Sequence, residues 1–134
     1  MKARAKVGTV GELTFVVAAE HLIDFATDGM PAVLSTPRLI GLLERTAREA
    51  LYPILETNER SVGMEIEIRH LAPTPPGARV TCTARVITSD TNTVTFAVEA
   101  HDEHEVIARG LHKRAVIRVE SFARRLARKT RPAG

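Results

Sequence analysis

Tryptophan is absent from this chain of 134 residues, and tyrosine and cysteine occur once each. So few aromatic residues disfavour recognition by base stacking or by an aromatic cage. The single cysteine, Cys82, excludes an intramolecular disulfide and cannot build a thiolate metal site by itself. We therefore expect no metal ion and no cofactor, and a reducing compartment, the cytoplasm.

Long apolar runs are also missing, so we expect no membrane span. The apolar run after the basic N-terminus, residues 15–19, is too short for a signal peptide. The net charge of +3 is modest, but a basic cluster closes the chain: Arg118, Arg124, Arg125, Arg128, Lys129 and Arg131. We interpret it as a solvated terminal helix or tail. The alternative is phosphate binding, where a nucleotide-containing substrate is favoured over nucleic acid because no nucleic-acid motif is present.

Residues 36–51 predict one long amphipathic helix. Their apolar side chains recur at steps of three and four, the period of a half-buried helix: Leu39, Ile40, Leu43, Ala47, Ala50 and Leu51. Thr36 is a capping residue type, and Pro37 fits the first helical position. Pro53 predicts that the helix ends near residue 51 or 52.

Glu44 falls near the edge of the apolar stripe when each residue turns the helix by about 100°. One interpretation is a boundary glutamate that reaches water or pairs with a neighbouring arginine. The other is a carboxylate at the mouth of a pocket, where it would suit acid–base chemistry.

A predicted strand follows, in which Val62, Met64, Ile66 and Ile68 alternate with polar residues and are expected to face the core. His70 continues this parity, so we expect its imidazole to face the helix. It is either a structural histidine satisfied by a backbone group or the acid–base partner of Glu44.

The remaining pattern predicts a single α+β domain over residues 1–134. Strands are expected at residues 13–17, 78–88, 93–101 and 105–119. A loop or short helical turns are expected at residues 18–35, which form either a lid over a pocket or an ordinary connection. In the last strand Ile107, Leu111, Ala115 and Ile117 share one face. His112 and Arg114 share the other face. One interpretation is that Arg114 is simply exposed to solvent.

This order of elements resembles the hotdog fold, in which a curved antiparallel sheet wraps around one long central helix. Within that fold the chain resembles the fluoroacetyl-CoA thioesterase group of acyl-CoA thioesterases. The resemblance runs over nearly the whole chain. It is carried by Thr36, Glu44, Gly63, His70, the turn at residues 72–77 (APTPPG), the segment His112-Lys113-Arg114-Ala115-Val116-Ile117 and the closing Pro132-Ala133-Gly134.

The resemblance implies hydrolysis of a short or small acyl-CoA thioester to the free acid and coenzyme A. Thr36, Glu44 and His70 would form the catalytic constellation, with Glu44 as base or nucleophile. The Gly63 backbone would lie against the acyl group, and Arg114 would help to close the site. The resemblance further implies a homodimer or tetramer with active sites between subunits.

The chain departs from the family pattern at the acyl pocket. The fluoroacetate-specific enzyme covers this pocket with phenylalanines, whereas the matching stretch here offers Thr27 and Met30, with Phe25 nearby. We expect Phe25 and Met30 to contact the acyl group and, because methionine is flexible, a different acyl selectivity. An enoyl-CoA hydratase and a non-catalytic acyl-CoA-binding module are the alternative functions. No nucleic-acid or membrane partner is expected.

Overall fold

The structure, a computed structural model, describes residues 1–23, 28–130 and 132. Within these residues, five antiparallel strands form one sheet in the order β1-β3-β4-β5-β2. The strands are β1 Val10–Val16, β2 Glu59–His70, β3 Arg79–Ser89, β4 Thr93–His101 and β5 Val106–Arg118. Helix α1 spans Thr36–Leu51 and helix α2 spans Val119–Thr130, with 3-10 turns at Ala19–His21 and Tyr52–Ile54. None of the helices described is long and apolar enough to cross a membrane.

The core lies between α1 and one face of the sheet. Helix α1 buries Leu39, Leu43, Ala47 and Leu51, each at most 2% exposed, which confirms the predicted apolar stripe. Alternate residues of β3 and β4 pack in the same core: Val80, Cys82, Ala84, Val86, Val94, Phe96, Val98 and Ala100. The predicted bounds of α1 are confirmed, and the predicted strand ends differ by three residues at most.

The cap of α1 differs from the prediction. Ser35 is the N-cap, and its hydroxyl accepts a hydrogen bond from the Arg38 N–H at 3.2 Å. Thr36 is instead the first helical residue, and Pro37 is the second. Because Ser35 satisfies the helix terminus, the Thr36 hydroxyl is available for a contact outside the helix.

The predicted facing of β2 is wrong in its first half. The pairing with β5 shifts register between Gly63 and Glu65, and such a β-bulge reverses which side chains face inward. Ser61 is consequently buried, whereas Met64, which the alternation assigned to the core, is 54% exposed. After the bulge the predicted parity holds as far as His70, which is half-buried.

Strand β5 buries a polar pair that the apolar pattern does not reveal. His112 and Arg114 are 1% and 4% exposed, whereas Leu111 on the opposite face is 46% exposed. Simple exposure of Arg114 is therefore wrong. The basic helix α2 buries none of its residues, which confirms a solvated terminal helix.

Candidate active site

A histidine and a threonine meet where β2 ends and α1 begins. The Thr36 Oγ1 and His70 Nδ1 atoms are 2.8 Å apart, within hydrogen-bond distance. The cleft beside them has a volume of about 290 Å³, and its walls include the apolar side chains of Ile23, Val33 and Leu34. A small apolar space thus opens next to a hydroxyl–imidazole pair.

The imidazole of His70 is suited to act as a neutral base. Burial lowers its pKa below the ordinary value of 6.5, although the backbone of Ala72 acts in the opposite direction. Its second ring nitrogen, Nε2, is buried and makes no hydrogen bond to any described residue. Buried polar atoms normally find a partner, and none of the described residues supplies one to this nitrogen.

Glu44 belongs to a second group of residues. The side chain of Glu44 is 40% exposed, and its Oε2 lies 3.8 Å from Nη1 of Arg114. A Cβ atom built on Gly63 would lie 2.8 Å from the same oxygen and 3.3 Å from Cε1 of His112. The carboxylate therefore rests against the Gly63 backbone, and only a glycine leaves it this room. The predicted position of Glu44 at the edge of the stripe is confirmed.

Arg114 is held by three hydrogen bonds. Its Nε donates to Ser61 Oγ at 2.9 Å, its Nη2 to the Ser61 carbonyl at 2.9 Å, and its Nη1 to His112 Nε2 at 3.1 Å. Burial lowers the pKa of Arg114, Glu44 raises it and Arg48 lowers it again. Since an arginine in a protein keeps its charge, a fixed cation faces the Glu44 carboxylate.

His112 is a neutral imidazole with its proton on Nδ1. The Glu65 carbonyl, 2.8 Å from Nδ1, can only accept a hydrogen bond, and the Arg114 guanidinium, beside Nε2, can only donate one. Burial is the main cause that lowers the pKa of His112, and the Arg114 charge lowers it further. The Glu65 carbonyl and the Glu44 charge act in the opposite direction. The ring also stacks on Phe96, with centroids 6.5 Å apart.

Within one protomer these two groups stay apart. No hydrogen bond joins Glu44 to Thr36 or His70 among the described residues, and about 12 Å of helical rise separates positions 36 and 44. Gly63 and Arg114 accompany Glu44, whereas Thr36 accompanies His70. The convergence of Glu44 and His70 in one cleft therefore remains a prediction that requires a second protomer.

The predicted lid residues do not join either group in the part of the chain described. Met30 is 58% exposed, and Phe25 and Thr27 lie outside the described residues. The sequence interpretation missed two members of the Glu44 group, Ser61 and His112. His112 could have been found because it lies two residues from Arg114 on β5, so the two side chains share a face of the sheet. Ser61 could not, because the alternation of β2 without the bulge turns it away from the core.

Comparisons with known proteins agree on one family. A family model described as fluoroacetyl-CoA-specific thioesterase matches residues 17–120. The fluoroacetyl-CoA thioesterase of Streptantibioticus cattleyicolor is 40% identical to this chain over 104 residues, which are 78% of this chain and 74% of that protein. The residues that the family model matches include Thr36, Glu44 and His70.

Solved structures agree on the fold. A structure of the fluoroacetyl-CoA thioesterase superposes with a TM-score of 0.85 at 33% identity, covering 96% of this chain and 98% of that one. A hot-dog-like protein from Thermanaerovibrio acidaminovorans superposes with a TM-score of 0.84 at 27% identity, covering 95% and 94% of the two chains. The expected hotdog fold is thereby confirmed.

Proposed function

Because the chain belongs to the fluoroacetyl-CoA-specific thioesterase family, we propose that it hydrolyses the thioester of a small acyl-CoA to the free acid and coenzyme A. The observation that carries the proposal is the hydrogen bond between Thr36 Oγ1 and His70 Nδ1. It joins a hydroxyl to a neutral base at the N-terminus of α1, where backbone N–H groups favour developing negative charge. The adjoining apolar cleft of about 290 Å³ suits a short acyl group.

In the proposed reaction Glu44 acts as the base that takes a proton from the attacking water, or as the nucleophile itself. Attack at the carbonyl carbon gives an oxyanion, and the C–S bond then breaks with departure of the coenzyme A thiolate. When water is the attacking group this releases the free acid, whereas attack by Glu44 leaves an anhydride that water then hydrolyses to the free acid and the Glu44 carboxylate. Thr36 holds the water or the carbonyl, and His70 orients Glu44 or exchanges protons with it. Arg114 keeps the Glu44 carboxylate against Gly63.

A symmetric dimer would bring the two groups together. Strand β2 is an edge of the sheet, and an unpaired edge is open to pairing with a second copy. A two-fold axis at Glu67 would pair Glu67 with its own copy and, because the bulge adds one residue to the strand, would set Gly63 of one protomer opposite His70 of its partner. Within one protomer these two residues are roughly 20 Å apart along the strand. The proposed site thus takes Thr36 and His70 from one protomer and Glu44, Gly63 and Arg114 from its partner.

The catalytic assignment is tested by Glu44→Gln and His70→Ala, assayed with a panel of acyl-CoAs and a thiol-detecting dye. We expect both variants to lose at least about a hundredfold in kcat/KM. Glu12→Gln, a change at an exposed carboxylate on β1, is the control. Near-wild-type rates in both variants would refute the assignment. Hydration of crotonyl-CoA would favour a hydratase, and tight acyl-CoA binding without thiol release would favour a binding module.

Mixing the two inactive variants tests the shared site. In a mixed dimer, one site would carry both substitutions and the other neither, so random reassociation should restore about a quarter of wild-type activity. If each site belongs to a single protomer, every site carries one substitution, and no activity returns.

A further inference from the structure

A second cleft opens where α1 ends and β2 begins. It has a volume of about 400 Å³ and is lined by Arg48, Glu49, Tyr52, Leu55, Arg60 and Ser61. Tyr52, the only tyrosine of the chain, is 58% exposed. The guanidinium of Arg60 lies over its ring, 5.6 Å from the ring centroid. The wall of the cleft therefore combines an accessible aromatic ring with positive charge.

The charge of this cleft is not neutralised. Glu49 is paired with Arg45, whose Nε lies 2.9 Å from Glu49 Oε1. Neither Arg48 nor Arg60 forms an ion pair with any carboxylate in residues 1–23 and 28–130. The Nη1 of Arg60 donates to the carbonyls of Thr57 and Glu59, which leaves Nε and Nη2 of its guanidinium as further donors. Two arginines beside a ring suit an anionic ligand that carries an aromatic group.

The cleft continues from the proposed catalytic carboxylate. Glu44, Arg48 and Tyr52 follow one another at steps of four residues along α1 and its 3-10 extension, so they share one face and span about 12 Å. Arg48 also lines the smaller cleft that holds Glu44 and Arg114. On the β2 side, Ser61 lines the second cleft and accepts a hydrogen bond from Arg114. A long ligand with its reactive end at Glu44 would therefore extend into this cleft.

We propose that this cleft binds the phosphorylated nucleotide end of the coenzyme A thioester. Arg48 and Arg60 pair with phosphate oxygens, and the Tyr52 ring packs against the adenine. Guanidinium groups match phosphate geometry, and a single aromatic ring is enough to stack one base. The composition disfavours aromatic recognition in general, but it leaves this one ring accessible. Placing the thioester of the ligand at Glu44 depends on the proposed thioesterase function, whereas binding of the nucleotide in this cleft can be tested without turnover.

The experiment compares two thioesters with the same acyl group, acetyl-CoA and acetyl-pantetheine, which lacks the nucleotide. Arg48→Gln and Arg60→Gln should each raise the KM for acetyl-CoA about tenfold, the effect of one charge-assisted hydrogen bond in a solvated cleft. The KM for acetyl-pantetheine and kcat for both substrates should stay within twofold. Arg85→Gln is the matched control because Arg85 is exposed on β3, with two strands between it and β2.

Equal KM increases for both thioesters, or no increase for acetyl-CoA, would overturn the assignment. If the wild-type protein hydrolyses no acyl-CoA of the panel, the thioesterase proposal fails, and the cleft is then tested by calorimetry with coenzyme A and with pantetheine. Weaker binding of coenzyme A by the two arginine variants, with pantetheine binding unchanged, would still support the nucleotide site. Unchanged coenzyme A binding would refute it.

Discussion

Gly63→Ala is the substitution that most directly tests how the Glu44 carboxylate is held. The added Cβ would lie 2.8 Å from Glu44 Oε2, 3.3 Å from His112 Cε1 and 3.7 Å from Arg114 Nη1. Ordinary van der Waals contact begins at 3.4 Å, so the carboxylate must retreat by about 0.6 Å. His112 and Arg114 are fixed by their hydrogen bonds, and Glu44 is the group that will move.

The expected loss is in activity rather than in stability. Displacing the carboxylate weakens a partly exposed ion pair with Arg114, which contributes less than about 1 kcal/mol. Gly63 is not among the glycines with positive φ, so its backbone conformation accepts alanine. Alanine lowers the conformational entropy of the unfolded chain and so stabilises the fold by about 0.4–1 kcal/mol. These two effects offset each other. A shift of this size in a catalytic group lowers the rate by about tenfold to a hundredfold.

The assay pairs kcat from thiol release with the urea midpoint of the same preparation. Gly41→Ala on α1 is the matched control, because a Cβ at Gly41 meets nothing within 4 Å. The control should keep its activity and gain up to about 1 kcal/mol from the better helix propensity of alanine. A Gly63→Ala variant with the wild-type kcat would refute a role for Glu44 held against this backbone. If Gly63→Ala fails to fold, the conclusion that the Glu44 side chain can move away from the added Cβ is refuted.

Three further predictions concern buried groups. His112→Gln should retain most activity because the glutamine can still accept a hydrogen bond from Arg114. His112→Phe leaves that donor unpaired, so it should lower kcat about tenfold or more and destabilise the fold by about 1–3 kcal/mol. Equal behaviour of the two variants would contradict this prediction. Burial lowers the pKa of His70 and of His112 below 6.5, so the unfolded chain binds more protons than the folded chain. The stability that these two histidines contribute is therefore complete above about pH 6.5 and should fall as the pH drops below that value. An unchanged urea midpoint between pH 7.5 and 5.5 would be inconsistent with this prediction. Burial raises the pKa of the Cys82 thiol to about 12, so a thiol reagent at pH 8 should modify Cys82 only after denaturation. Rapid modification of the native protein would show that the thiol is not buried.

Most of the fold could be predicted because its elements follow simple periodicities. The stripe from Leu39 to Leu51 repeats with the helical period, and the later strands alternate regularly between turns. Such patterns report burial averaged over many residues, so they tolerate errors of a residue or two at each end. They also place Glu44 at the edge of the stripe, where its side chain is 40% exposed.

The polar parts of the site were harder to predict for a definite reason. Hydropathy assigns charged residues to solvent, but Arg114 is buried because Ser61 and His112 accept hydrogen bonds from its N–H groups and Glu44 faces its charge. Ser61 and Glu44 come from β2 and α1, which are distant from Arg114 in sequence, so the residues around Arg114 do not predict these two contacts. Thr36 likewise meets its partner only in the fold: its neighbour Ser35 takes the capping position, and the Thr36 hydroxyl lies within hydrogen-bond distance of His70, which is distant in sequence.

The bulge in β2 is the local feature on which both halves of the site depend. Gly63 and His70 are seven positions apart, an odd number, so a regular strand would turn them to opposite faces of the sheet. The extra residue between Gly63 and Glu65 corrects this parity and allows both to face α1. The Glu65 carbonyl at the bulge also accepts the hydrogen bond from His112 Nδ1 that orients the imidazole toward Arg114. When two residues of one strand must share a face, an odd spacing between them therefore implies a bulge.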